Sequence, residues 1–349
     1  MKFDYIIGNP PYQEEQLSSD IDSSKKNYAP PVYDKFMDEV YKVGHRVELI
    51  HPARFLFNAG STPKSWNKKM LNDPHFKVIK YEAESGNIFS GVDIKGGISV
   101  TYRDDATNFG AIEVFTQYHQ LNSLRKKVVE STGFQSLIDI VYSRTSYRLT
   151  EKMHEDNPTA IRRLSKGHAY DMSSNILERI PEIFYNEKPN DGNEYIKILG
   201  RESNNRCWKY IRKDYVNAPE NLKSYKVVVP QATGRGMFGE AISEPLVEGP
   251  NAGTTETFIS IGNFSNIEDA EHLKLYIKTK FLRALLGILK VTQIGNRPVW
   301  AMIPMQDFSA SSDINWSKSI PEIDQQLYKK YGLDEEEISF IESHVKEMA

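Results

Sequence analysis

The apolar positions near the start of the chain fall into two alternating patterns. Phe3-Asp4-Tyr5-Ile6-Ile7-Gly8 is a short β-rich run closed by glycine and then two prolines. It predicts a buried parallel strand ending in a loop. Residues 13–29 are polar and rich in Ser, Asp and Lys, which predicts a flexible loop. Val32, Phe36, Val40 and Val43 recur at three- and four-residue spacing, so Pro31 to Val43 is predicted as a helix. A second strand, Val47 to Ile50, ends at His51-Pro52. Ser61-Thr62-Pro63-Lys64 opens another helix, with proline where a missing N–H costs nothing. Phe76 to Tyr81 and Gly97 to Tyr102 read as a third and a fourth strand. This β-loop-α-β-α-β-β order is half of an open α/β sheet.

A boundary is expected at Asp104 to Asn108, closing a first domain at about residue 110. Residues 111–133 then read as a helical connection, 134–310 as a mixed α/β domain, and 311–349 as a helical tail. Within the second domain Lys226 to Val229 and Phe258 to Ile261 are strand-like. Ala270 to Leu289 has the pattern of one amphipathic helix. In the tail, Asp334 and Glu337 have capping-box spacing ahead of Ile338, Phe340 and Ile341.

Length and composition narrow the classes. A chain of 349 residues, 39% hydrophobic and 26% charged, is a soluble globular protein with two domains as the default. No apolar run approaches the roughly 20 residues that span a bilayer, and no signal peptide opens the chain. A cytoplasmic location is therefore expected. The single cysteine, Cys207, excludes an internal disulfide framework and reads as a packed thiol beside Trp208. The eight histidines show no metal spacing, and His45 and His51 read as structural. No Asp…Glu-x-Lys nuclease constellation stands out. Net charge is −3 overall, but residues 121–240 hold 20 Lys/Arg against 15 Asp/Glu, a local excess of +5. A basic middle third suits phosphate, although the excess also fits a mildly biased solvated surface.

The segment that carries chemistry is Asn9-Pro10-Pro11-Tyr12. An exocyclic amine of a nucleobase is a poor nucleophile because its lone pair is delocalised into the ring. Acceptors on both of its hydrogens draw the nitrogen toward a pyramidal form. The Asn9 side-chain oxygen and the Pro10 carbonyl can be those acceptors. Pro10 and Pro11 fix φ near −65° and add no N–H, so the turn presents carbonyls. Proline also holds the preceding Asn9 extended. Tyr12 offers a flat face for an extruded base, where stacking is worth about 1–3 kcal/mol. A plain Pro-Pro turn after a core strand is the alternative, and the α/β order around the tetrapeptide favours the pocket.

Phe3 to Gln13 resembles motif IV of adenine-N6 DNA methyltransferases from bacterial restriction-modification systems, in particular the γ class of type II and fused enzymes. Downstream segments follow in the family's order. Pro31 to Phe36 resembles the helix after motif IV, Glu48 to Leu56 resembles motif VI, and Gly91 to Ile98 resembles the hairpin of motifs VII and VIII. Gln326 to Leu333 is similar to endings in that group. The resemblance implies a Rossmann-like S-adenosylmethionine-dependent sheet, of which this chain holds the second half, plus a mixed α/β target-recognition domain. It implies that Asn9, Pro10, Pro11 and Tyr12 hold the target base and that double-stranded DNA is the substrate. Tyr102 supplies a second aromatic wall or packs as an ordinary strand residue. Asp4 occupies a commonly acidic position and reads as structural. Arg201, Arg206, Lys209, Arg212 and Lys213 are candidates for phosphate contacts.

One departure matters. In that family the cofactor site lies mainly upstream of motif IV, whereas this sequence opens on motif IV. The Gly234-Arg235-Gly236-Met237-Phe238-Gly239 cluster reads as a loop of the recognition domain, with Arg235 toward phosphate, and not as a cofactor loop. The expectation is thus the target-base part of a methyltransferase, completed by an upstream half or subunit. The alternatives are a non-catalytic DNA-specificity fragment and a protein-glutamine methyltransferase. More than 200 residues after the sheet argue against the last.

Overall fold

A computed structural model describes residues 2–13, 30–91, 93–234 and 236–348. The polar stretch 14–29, read above as a loop, lies outside the described residues, as do Val92 and Arg235. The chain forms two compact units, Met1–His119 and Gln120–Ala349.

The first unit is built on four strands, β1 (Phe3–Gly8), β2 (Gly44–Pro52), β3 (Phe76–Glu82) and β4 (Ile98–Asp104), with helices α1 (Tyr33–Val43) and α2 (Lys64–Leu71). The sheet order is β1-β2-β4-β3. β1 runs parallel to β2, from Phe3 opposite Gly44 to Gly8 opposite Leu49. β4 lies antiparallel to both β2 and β3. All of the elements expected from periodicity are present here. Pro63 sits at the N-cap of α2, one residue before the helix.

The core of this unit lies on one face of the sheet. Tyr33 and Met37 of α1 and Trp66, Met70 and Leu71 of α2 pack with Val47, Leu49 and Phe76 in a single cluster, joined by Ile6. The period-2 alternation sends Tyr5 and Ile7 of β1 to the other face, and there the prediction of a buried first strand fails. β1 is an edge strand, and Phe3, Tyr5 and Ile7 are 65%, 45% and 74% exposed. Its apolar run satisfies two faces, but among the described residues only one face and one edge are covered.

The second unit contains, in order, α3 (His119–Val129, starting at the division), β5 (Val141–Tyr142), β6 (Arg148–Leu149), α4 (Glu151–Asp156), α5 (Ile176–Arg179), β7 (Tyr195–Glu202), β8 (Asn205–Arg212), β9 (Val216–Asn217), β10 (Tyr225–Pro230), β11 (Leu246–Glu248), β12 (Ala252–Thr254), β13 (Phe258–Phe264), α6 (Ile267–Lys278), α7 (Lys280–Leu289), α8 (Ile320–Lys330) and α9 (Glu335–His344). Its sheets have the orders β11-β10-β13-β5, β12-β7-β8 and β6-β9. β7 and β8 form a hairpin through Ser203 and Asn204, both at positive φ, as a two-residue turn requires. The single helix expected over 270–289 is two helices. Thr279 is extended (φ −63°, ψ 148°), and its hydroxyl accepts the Leu282 N–H. Asp324 of α8 accepts the N–H groups of Lys280 and Phe281. The break is therefore capped twice. The Asp334/Glu337 capping box is present at the start of α9. No described helix is long and apolar enough to cross a membrane.

Candidate functional site

Asn9 follows directly on the last residue of β1, at the carboxyl end of the parallel β1–α1–β2 unit. Ligands of open α/β sheets bind at such ends. The tetrapeptide alternates in exposure: Asn9 is exposed, Pro10 buried, Pro11 exposed and Tyr12 half-buried. The buried Pro10 anchors the turn. The Tyr12 carbonyl accepts the Val32 N–H at 3.3 Å, and Gln13 forms an antiparallel bridge to Pro31. Both ties pin the turn to the residues that start α1. Among the described residues none donates to the Asn9 side-chain oxygen or to the Pro10 carbonyl. Both acceptors are therefore unused by the described residues. The Tyr12 hydroxyl is buried with no hydrogen-bond partner among the described residues, and burial raises its pKa. An unsatisfied buried hydroxyl costs about 1–3 kcal/mol, so this ring position is not its best-satisfied one.

Beneath the same end of the sheet is an aromatic layer. His51, at the end of β2, stacks on Tyr33 with ring centroids 5.8 Å apart and planes within 2°. Its Nε2 pairs with Thr101 Oγ1 at 2.7 Å. Burial lowers its pKa to about 4, which keeps the ring neutral. His51 thus orders packing, as the sequence suggested. His45 is exposed and pairs with Asp105 at 2.9 Å. Asp4 is exposed.

Tyr102 is not brought to the turn. It lies opposite Glu48, which lies opposite Ile7. Its ring packs near Tyr5 (6.3 Å) and Phe109 (6.0 Å), with the Lys77 ammonium 5.3 Å from its centroid. That is ordinary strand packing on the open face. Arg54, within the Glu48–Leu56 segment, is exposed and follows β2 at the end where Asn9 lies. It rests against Gly60 and Gly96, both at positive φ, and a Cβ on Gly96 would come within 2.6 Å of its side chain. The Lys95-Gly96-Gly97 run was the available signal for that contact.

In the second unit the five basic candidates separate. Lys209 pairs with Glu202 at 3.0 Å, Lys213 with Glu194 at 2.7 Å, and Arg212 makes a two-point contact with Asp214 (3.0 and 2.5 Å). Arg201 and Arg206 have no acidic partner among the described residues. They lie directly opposite each other across β7 and β8. Like charges in that register repel unless an anion lies over them. Arg206 also sits 5.7 Å from the centre of the Phe258 ring. Cys207 is half-buried against the adjoining core, as expected of a packed thiol.

The glycine cluster does not fit the methionine end of S-adenosylmethionine. It links β10 to β11, which are antiparallel, and among the described residues no helix lies between them. Its glycines are closed off by packing: a Cβ on Gly236 would meet the Thr292 backbone at 2.5 Å, and one on Gly239 the His344 carbonyl at 2.0 Å.

Residues 1–89 match the family model described as Eco57I restriction-modification methylase. The first unit's opening segment is therefore similar to a restriction-modification methylase family, over a quarter of the chain. No curated protein matches the chain.

Proposed function

We propose that this chain holds the target base of a DNA methyltransferase of a restriction-modification system, acting on adenine N6 in the manner of the γ class. The observation that carries the reading is the pair of acceptors at Asn9 and Pro10 that no described residue uses, at the carboxyl end of a parallel βαβ unit. The Asn9 oxygen and Pro10 carbonyl accept the two amine hydrogens and free the nitrogen lone pair. Tyr12 turns from its unsatisfied resting position to stack on the extruded base. S-adenosylmethionine supplies the methyl group, and no described cluster of this chain fits its methionine end. A complementing methyltransferase segment holds the cofactor and covers the outer edge of β1, which the exposed Phe3, Tyr5 and Ile7 support. Arg201 and Arg206 meet duplex phosphates, while Lys209, Arg212 and Lys213 contribute less because acids already neutralise them.

The test is transfer of labelled methyl from S-adenosylmethionine to duplex DNA, by the chain alone and with a cofactor-binding half added. Transfer appears only with the added half, and the label resides on adenine N6. Asn9→Ala lowers turnover by at least about 10³-fold, in line with loss of an acceptor used only in the transition state, with DNA affinity nearly unchanged. Full turnover by Asn9→Ala, or label on cytosine, sinks the reading.

A further inference from the structure

The second unit contains a pocket beneath the glycine-rich loop, lined by Thr233, Met237, Glu240, Arg283, Leu286 and Lys290. Arg283, Leu286 and Lys290 stand at positions i, i+3 and i+7, on one face of α7 and its C-cap. Arg283 is 3% exposed, and neither of its terminal nitrogens, Nη1 and Nη2, has a hydrogen-bond partner among the described residues. Its Nε donates to the Thr279 carbonyl at 3.3 Å. Lys290 is 9% exposed and donates to the Thr233 carbonyl at 3.1 Å. Two acids lie near. Glu240 accepts the Gly236 N–H, and Asp324 accepts the N–H groups of Lys280 and Phe281. Neither forms an ion pair with Arg283. The loop is fixed at both ends, since Thr233 N–H donates to Gln293 and the Gly239 carbonyl accepts from Lys346. Met237, 67% exposed, places the pocket at the surface.

A buried guanidinium with four unfilled N–H donors is costly without an acceptor. Its planar fork matches an oxyanion, and Lys290, two helical turns further along the same face, adds a second positive charge to the lining. We propose that this pocket is an anion site for a phosphoryl group, with Arg283 as the fork and Lys290 as the second charge. The inference stands apart from the proposed base-holding turn, which lies in the first unit. The phosphoryl group comes from a DNA backbone or from a free phosphate.

The 349-residue chain is titrated with inorganic phosphate at constant ionic strength against chloride, with melting temperature and calorimetry as readouts. At ten times its Kd, phosphate raises the wild-type melting temperature by about 3 °C. Arg283→Met still unfolds cooperatively and loses the response, and Lys290→Gln weakens phosphate binding at least tenfold. If Arg283→Met does not fold, Lys290→Gln decides alone. A duplex of random sequence separates the sources. With a DNA source, phosphate competes with duplex, and Lys290→Gln lowers the slope of log affinity against log salt by about 1. With a free-phosphate source, duplex binding ignores both. A wild-type response equal to that in chloride, or an equal response in Lys290→Gln, overturns the proposal.

Discussion

Lys226 is fully buried, and its ammonium donates to the carbonyls of Asn221 (2.7 Å), Ser224 (2.8 Å) and Gly249 (3.1 Å). Burial lowers its pKa to about 8. Lys226→Met leaves one buried and two part-buried carbonyls without this donor and is expected to cost about 2–3 kcal/mol, read as a lower urea midpoint at unchanged m. His51 gives the residue scale a pH signature. Its pKa falls from 6.5 unfolded to about 4 folded, so the folded state excludes the proton. The stabilisation is complete above pH 6.5 and is lost as pH falls toward 4, at about 1.4 kcal/mol per pH unit in that window. His51→Phe keeps the stack on Tyr33 and should flatten this slope in acid titrations. An unchanged slope would exclude His51 as its source. The role proposed for the tetrapeptide was legible from sequence because that chemistry is local: each of its four residues would act through its own backbone or its own tip. The setting of Arg54 was not, since it depends on Gly96, which is 42 positions away in the chain.

At the scale of elements, the sequence shows the first unit well because a parallel strand, a helix and a second strand differ in period and in the residues that end them. It failed at Thr279. The apolar period runs on through that position with no Gly or Pro, and the break is made by an acid in α8. Asp324→Ala removes the acceptor of two N–H groups at the start of α7. A loss of about 1–2 kcal/mol is expected, with hydrogen exchange fastest at Lys280 to Arg283. Protection unchanged there would mean that Thr279 caps α7 alone. The basic middle third shows the same limit. Counting charges could not reveal that Glu202, Glu194 and Asp214 already neutralise three of its five candidate cations, because the two glutamates reach Lys209 and Lys213 only across the β7–β8 hairpin. Arg201→Ala with Arg206→Ala should therefore reduce the salt slope of duplex binding by about 2, and Lys213→Ala by much less.

At the scale of the molecule, acid acts on the two units in opposite directions. Burial raises the Asp324 carboxyl to about 6, so the second unit binds protons more readily when folded and gains stability as pH falls from about 6 toward 3.8. The first unit loses stability through His51 over much of the same window. Hydrogen exchange at pH 7 and pH 5 should show protection falling in β2 and β4 and holding in α7 and α8. A uniform change across both units would show that other groups dominate.

The open side of β1 has a practical meaning at the bench. Three large apolar side chains stand on a strand whose outer edge has no neighbour among the described residues, and under the proposed function one surface serves two ends: a complementing segment adds its strand there, and two copies adhere there when that segment is scarce. The isolated chain should scatter more light as its concentration rises. A single Ile7→Lys change, at a position 74% exposed, should clear that solution without unfolding the unit. The same change should abolish rescue by the added half. Ease of purification and competence for assembly would thus be inversely linked at one residue.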